Sequence, residues 1–380
     1  MRNKAAIFIL LLGLVSLFAD ITYEGARGIT GPFLYTLGAS AWMVGLVGGM
    51  GEFVGYGLRL ISGYIADKTK MYWPITFLGY LMNLLSVPLL FTARSWEFAS
   101  FLIICERFGK ALRSPARDAI ISFASSNIGL GKGFAIHEVL DQIGAILGPL
   151  FVAYVLSISR SYHKAFLYLG IPALISLTFL ILSMFLYPKP ESIEKKTKTP
   201  ELLPVRSFNL YLTFVFLTVL GFPHFHILSY HMKSEGILQD EGIPLLFALA
   251  MGLDALSGLI LGFSFDRFKL KTLFLLPLLS LPITLFGFLF KGFPFLILSV
   301  FFWGFVMGMH ETVLKSATAH MVPKEKRAGA FGVFHTIYGI SWFLGSLIFG
   351  LLYDLSFHYL PLFAITSQIL AFFVLLRIGK

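Results

Sequence analysis

Charge is what this sequence has least of. Asp, Glu, Lys and Arg make up 13% of its 380 residues, against roughly 25% in ordinary soluble domains. A water-soluble fold of that length still needs polar residues to cover its surface, so a soluble globular class is excluded. Cysteine is almost missing as well. Cys105 is the single one, which excludes an intramolecular disulfide and a cysteine metal cluster. The chain has no nucleotide-binding P-loop, which argues against direct ATP coupling. It also has no His-Glu-x-x-His set, because "HEVLD" at His137 lacks the second histidine. A membrane enzyme would need such a set, a nucleophile or a metal triad.

What the chain does have is apolar length. Hydrophobic residues make up 57%, with 41 Phe and a mean hydropathy of +0.81. Segments of the roughly 17–25 residues that cross a bilayer recur at about 6–36, 42–66, 73–92, 97–120, 133–158, 163–187, 207–232, 242–264, 272–290, 294–317, 329–353 and 358–377. They predict an all-α, multi-pass membrane protein with twelve transmembrane helices. No small-residue cleavage site follows the first apolar run, so it is read as a retained span. Lysine and arginine orient the chain. With both termini cytoplasmic, Arg94, Arg160, Lys164, Lys233 and Lys291 fall outside, Arg27, Arg59 and Arg107 fall within spans, and all other basic residues fall inside. Topology thus accounts for the net charge of +10, and a nucleic-acid partner loses its support.

The polar stretch "PKPESIEKKTKTPELLPVRS" divides the chain into an N-terminal six-helix bundle (1–187), a cytoplasmic linker (188–206) and a C-terminal six-helix bundle (207–380). The halves carry a weak repeat. "SGYIADKTK" at Ser62 matches "LGFSFDRFK" at Leu261, each with a glycine, an aspartate four residues on, and then a basic residue. "KGFAIHEVLDQIGAILGPLF" at Lys132 parallels "GAFGVFHTIYGISWFLGSLI" at Gly329, with Gly148 on Gly345 and Phe134 on Phe331. Two pseudo-symmetric bundles are what such a repeat leaves in sequence.

With these features the chain resembles the major facilitator superfamily over essentially its whole length, although Thr69 stands where the loop motif usually has glycine. "YEGARGITGPF", "GEFVGYGLRLISGYIAD", "ERFGKALRSPARDA" and "HEVLDQIGAILGPL" resemble a poorly characterised bacterial and archaeal branch. The resemblance implies a secondary transporter in the cell (inner or plasma) membrane, alternating access around a midplane site, and no cofactor. It also implies that Gly63, Asp67, Lys68, Asp266 and Arg267 gate the inner mouth. Gly144, Gly148 and Pro149 resemble the glycine–proline motif of the family's exporters, a slight lean toward export and antiport, and are read as helix-packing residues.

Ionisable groups at bilayer depth usually face a cavity or a partner. Asp20, Glu24 and Arg27 sit at i, i+4 and i+7 and form one stripe. Two readings stay open, a structural ion-pair network and a proton or substrate site. In the second, Glu24 pairs with Arg27 and Asp20 titrates. Glu52 and Arg59 share a face, which would put Glu52 in the same polar interior as Asp20. Glu106, Lys110, Arg113 and Arg117 run along one side of span 4, where Lys110 to Asp118 read as a solvated face. Arg107 points away, deeper, where the resemblance implies proton coupling or anion binding. His137 and Asp141 at i, i+4 are candidate proton carriers, with His137 and Glu138 near the wet end. In the second half His224 and His231 share a face with His226 turned away, Glu311 and Lys315 form an i, i+4 pair, and Asp254 and His310 are candidate binding residues. No set of metal ligands is complete. The expected partners are a small-molecule substrate, protons and the lipid bilayer, with a monomeric chain. The alternative is a receptor or scaffold with the same fold that transports nothing.

Overall fold

A computed structural model describes residues 2–125, 130–189, 206–290, 292–321 and 327–378, and among these it is helical with short connections and no strand. The linker expected at 188–206 lies almost wholly outside the described residues, and the side chains of Asp67 and Asp266 lie outside them too, as do those of Lys132 and Phe134.

The first half runs α1 (Arg2–Thr36), α2 (Ala41–Thr69), α3 (Tyr72–Leu89), α4 (Trp96–Ser125), α5 (Leu130–Ser159), α6 (Tyr162–Tyr168) and α7 (Gly170–Leu186). The second runs α8 (Arg206–Leu220), α9 (Phe225–Ser234), α10 (Gly242–Phe268), α11 (Leu275–Thr284), α12 (Phe293–Met309), α13 (Lys315–Met321), α14 (Arg327–Leu355) and α15 (Tyr359–Ile378).

Among the described residues, ten helical segments are long and apolar enough to cross a membrane. Helices α2 and α4, which the sequence reading also counts as spans, are not among them. At 29 and 30 residues they are long enough. Glycine and Glu52 dilute the apolar run of α2, and Glu106, Arg107, Lys110, Arg113 and Arg117 interrupt that of α4.

Several spans expected to be continuous change their winding, and in span 6 the change is a single turn residue, Leu169, between α6 and α7. Span 7 unwinds at 221–224, between α8 and α9, where Gly221 and Pro223 remove helix preference and a backbone donor. Span 9 ends in a π turn at Leu285–Leu289, and span 10 is interrupted by another at His310–Leu314.

The chain groups into two compact units, each contributed by several stretches. The first comprises Met1–Phe33, Val54–Thr197 and Asp240–Ala248; the second comprises Leu34–Phe53, Lys198–Gln239 and Leu249–Lys380. The division passes through α2, so its first turns group with the second unit. In the first unit α5 lies backbone to backbone on α1: a Cβ at Gly148 would meet the Ile21 carbonyl at 2.5 Å and the Gly25 nitrogen at 2.8 Å. In the second, a Cβ at Gly345 would sit 2.5 Å from the Leu220 carbonyl of α8. These are the two glycines that the sequence repeat superimposes, and each holds its helix against the first helix of its own half.

Candidate functional site

Helix α1 is almost uniformly apolar from Ala5 to Phe18, so the chain can bury Asp20, Glu24 and Arg27 only by turning that stripe toward protein. All three are buried, at 6%, 6% and 8% exposure. The two acids meet different partners. Glu24 Oε1 lies 3.5 Å from Arg27 Nη1 and 3.7 Å from Lys110 Nζ of α4. Asp20 accepts a hydrogen bond from the Tyr23 hydroxyl, and among the described residues no cation lies within ion-pair distance of it.

The close approach at Gly148 sets what else reaches this stripe. One turn earlier, Gly144 faces the Leu17 carbonyl and the Asp20 side chain, so Asp141 and His137, further back along α5, fall beside Ser16 and Asp20. His137 Nε2 is 2.8 Å from Ser16 Oγ, and its Nδ1 is 3.4 Å from Asp141 Oδ2. Ser16 Oγ also accepts from Arg117 Nη1 at 3.4 Å and lies 3.4 Å from the Tyr80 hydroxyl. Asp141 is within electrostatic reach of Asp20. Pro149 is buried and α5 runs through it unbroken.

The solvated face expected from Lys110 to Asp118 is corrected here. Arg113 is completely buried. Its guanidinium carbon is 4.2 Å from the centre of the Tyr80 ring and 5.6 Å from that of Tyr23. Lys110 Nζ lies 4.0 Å from the Tyr23 centroid, and Arg117 pairs with Asp118 at 2.8 Å. Positions 110, 113 and 117 share one helical face, and that face points at α1 and α3. Aromatic rings from those helices give the cations a surface that counting charges along α4 does not reveal. Lys110, Arg113, Arg117, Ser16, Tyr23 and Tyr80 are therefore site residues that the sequence reading passes over. The signals available in the sequence are Ser16, a small polar residue within an apolar run, and the shared side of Lys110, Arg113 and Arg117. His137 is likewise buried, at 3% exposure, rather than wet, while Glu138 is exposed.

The other candidates have partners of their own. Arg107 is buried and pairs through Nε with Glu106 at 3.2 Å; Glu106 in turn accepts from Asn83 Nδ2 at 2.7 Å. Arg59 is half-buried, donates to the Gly55 carbonyl at 2.9 Å and covers the Tyr56 ring at 4.6 Å. Glu52 meets His224, Oε1 to Nε2 3.5 Å, within the second unit. Gly63 makes an ordinary contact with Pro115; Lys68 and Arg267 are exposed.

In the second unit the unwound stretch before α9 overturns the expected pairing of histidines. His224 and His226 come together, with ring centroids 4.1 Å apart, because helical periodicity does not hold across 221–224. His231 instead bonds the Tyr353 hydroxyl at 2.8 Å. Glu311 and Lys315 form no ion pair among the described residues; Glu311 lies in the π turn at His310–Leu314, whose wider winding takes i, i+4 out of alignment. His310 is buried, with Nδ1 3.3 Å from the Tyr338 hydroxyl, and Asp254 is buried at 5% exposure. Among the described residues no group of three His, Cys, Asp or Glu side chains is arranged to hold a metal ion.

Comparison with known proteins gives a consistent result. The family model described as "Major Facilitator Superfamily" matches residues 10–239 and 227–379. An uncharacterized protein of Mycobacterium tuberculosis is 40% identical over 380 residues, covering 98% of this chain and 92% of that one. An uncharacterized MFS-type transporter of Methanocaldococcus jannaschii is 28% identical, covering 96% and 94%. Among solved structures, the nucleoside transporter NupG superposes with a TM-score of 0.80 at 14% identity, covering 98% of this chain and 100% of that one. A peptide transporter, POT, in complex with sulfate superposes at 0.73 and 14%, covering 98% and 93%. These two likenesses show the fold. Family match, relatives and fold agree with the motifs on which the sequence resemblance rests: this chain is a membrane protein that belongs to the Major Facilitator Superfamily.

Proposed function

We propose that the chain is a secondary transporter of a small molecule, driven by protons that the first unit carries. The observation that carries the reading is the linked set Arg117–Ser16–His137–Asp141 beside Asp20. It places two carboxylates, one imidazole and one hydroxyl close together within apolar helices. Groups of this kind at bilayer depth mark proton paths and substrate sites. Glu24 has two cations close by and serves as structural neutralisation; Asp20 and Asp141, with weaker or more distant cationic partners, are the groups that gain and lose the proton.

Twelve spans form two six-helix bundles, 1–187 and 207–380, which alternate access to the substrate as a monomer in the plasma membrane, with both termini cytoplasmic. The glycine–proline sequence from Gly144 to Pro149 favours export by antiport with protons. Gly63, Asp67, Lys68, Asp266 and Arg267 work as gating residues. The chain performs no covalent chemistry and needs no cofactor.

The test is reconstitution into liposomes with a trapped pH-sensitive dye and a compound panel, comparing wild type with Asp20→Asn and Asp141→Asn. Loss of net proton-linked transport with substrate exchange retained supports the reading. Full proton-linked transport in both variants overturns it.

A further inference from the structure

Among the described residues, buried Asp, Glu and Arg lie mostly in the first unit, with Glu52 and Asp254 in the second; the second unit gathers rings. Phe222 lies on the unwound stretch between α8 and α9. Its ring stacks on Trp303 at 5.6 Å between centroids, meets Trp342 edge-on at 5.5 Å, and lies 4.8 Å from the His310 imidazole. Tyr338 closes another side, 6.2 Å from Trp342 and hydrogen-bonded to His310 Nδ1. All five side chains are at most 3% exposed.

Two polar atoms in this cluster have no hydrogen-bond partner among the described residues: Trp342 Nε1 and His310 Nε2. The contrast with Trp303 is informative. Its indole N–H donates to the Pro223 carbonyl at 2.9 Å, an acceptor that the break at 221–224 frees. The Trp342 N–H has no such acceptor. Leaving a buried donor unmade is unfavourable, and such groups are scarce in native interiors, so two on neighbouring rings call for an explanation. The backbone points to the same place. Unwound chain at membrane depth is tolerated where it is buried in protein or lines a cavity, and π turns are common at functional sites. The break at 221–224 and the π turn that starts at His310 both adjoin the Phe222 ring.

We propose that this cluster is a binding site for a flat, uncharged heteroaromatic ring. The ligand takes the place that the Phe222 ring holds in this structure, stacks on Trp303, accepts a hydrogen bond from Trp342 Nε1, and exchanges one with His310 Nε2. Tyr338 sets which role His310 takes. If the tyrosine hydroxyl donates to Nδ1, Nε2 carries the proton and donates; if Nδ1 donates, Nε2 accepts. The site suits an uncharged ligand because none of the five side chains carries a permanent charge, and a buried ion without a partner is strongly disfavoured. The hinge is the non-helical backbone that carries Phe222. The inference rests on the transporter reading for the role of the site, not for its geometry.

The test uses the purified full-length protein in detergent, with thermal unfolding measured against uracil, adenine and nicotinamide. Dihydrouracil, which keeps the imide edge of uracil, and cyclohexanecarboxamide, which keeps the carboxamide of nicotinamide, serve as non-aromatic counterparts. The aromatic compounds are expected to raise the unfolding temperature of the wild type and the saturated ones to leave it unchanged. Trp342→Phe keeps a ring and removes the N–H; it should weaken binding about tenfold, in line with one lost hydrogen bond. If that variant does not fold, His310→Asn carries the same expectation. No stabilisation by any aromatic compound, equal stabilisation by the saturated ones, or wild-type affinity in the folded variant overturns the site. Liposome flux separates this result from the transport reading. Ring binding without flux sustains the site and counts against transport; proton-linked flux of other compounds without ring binding sustains transport and overturns the site.

Discussion

Lys110 of α4 reaches Glu24 of α1, Nζ to Oε1 3.7 Å, while the same carboxylate lies 3.5 Å from Arg27. One carboxylate thus bridges cations from two helices at a site largely closed to solvent. Removing one member of a buried charged set costs about 3–5 kcal/mol, because the remaining charge is left uncompensated. Glu24→Gln is therefore expected to lower the unfolding temperature sharply. The double variant Glu24→Gln/Lys110→Met should recover part of the loss, since it also removes a stranded cation. A double-mutant cycle on thermal unfolding checks this; additive effects would show that the pair is not coupled.

The contact of α5 with α1 depends on the absence of a side chain at 148. Any Cβ there meets the backbone of Ile21 and Gly25, and backbone, unlike a flexible side chain, moves only with its whole helix. Gly148→Ala is expected to cost about 1–3 kcal/mol by overpacking, and Gly148→Val more. Gly345→Ala should behave alike in the second unit, against Leu220. Size-exclusion recovery and unfolding temperature report both, and a silent Gly148→Ala would show that the helices are not held this closely.

Much of this architecture is legible in the sequence, because apolar runs and a glycine register survive as one-dimensional patterns. Gly148 and Gly345 align through the repeat, and each packs on the first helix of its half. The stripe from Asp20 to Arg27 is legible for the same reason, since helical periodicity alone brings it to one face. Where periodicity fails, so does the reading. Gly221 and Pro223 interrupt span 7, and His226 comes to His224 instead of turning away. A π turn starting at His310 takes Glu311 out of line with Lys315. Arg113 reads as surface because its partners are the rings of Tyr80 and Tyr23 on other helices, and pairing across helices leaves no mark in a single chain's spacing.

Another such pairing is open to a direct measurement. Asp354, at the end of α14, accepts hydrogen bonds from the backbone nitrogens of Ala41 and Trp42, each at 3.0 Å. It caps the first turn of α2 although it lies 313 positions from Ala41 in sequence. Loss of an N-cap acceptor typically costs about 0.5–2 kcal/mol, so Asp354→Ala should destabilise by that order. Asp354→Asn, which keeps an oxygen, should lose less. Hydrogen exchange at Ala41 and Trp42 would locate the effect; unchanged protection there in Asp354→Ala would remove the cap.

Ser16 is where the proposed proton path is narrowest. Its hydroxyl lies 2.8 Å from His137 and accepts from Arg117 at 3.4 Å, so the imidazole is oriented toward Asp141 by a group that carries no charge. Ser16→Ala removes that orientation without altering the charge of the unit. Net proton-linked flux should fall and its dependence on the imposed pH gradient should flatten, while substrate exchange, which moves no net proton, is retained. Ser16→Thr keeps the hydroxyl and should restore the gradient dependence, an outcome that packing alone would not produce because threonine also adds a methyl group. Flux measured against the pH gradient in liposomes decides between the two: if Ser16→Ala follows the wild-type curve, protons do not pass by way of His137.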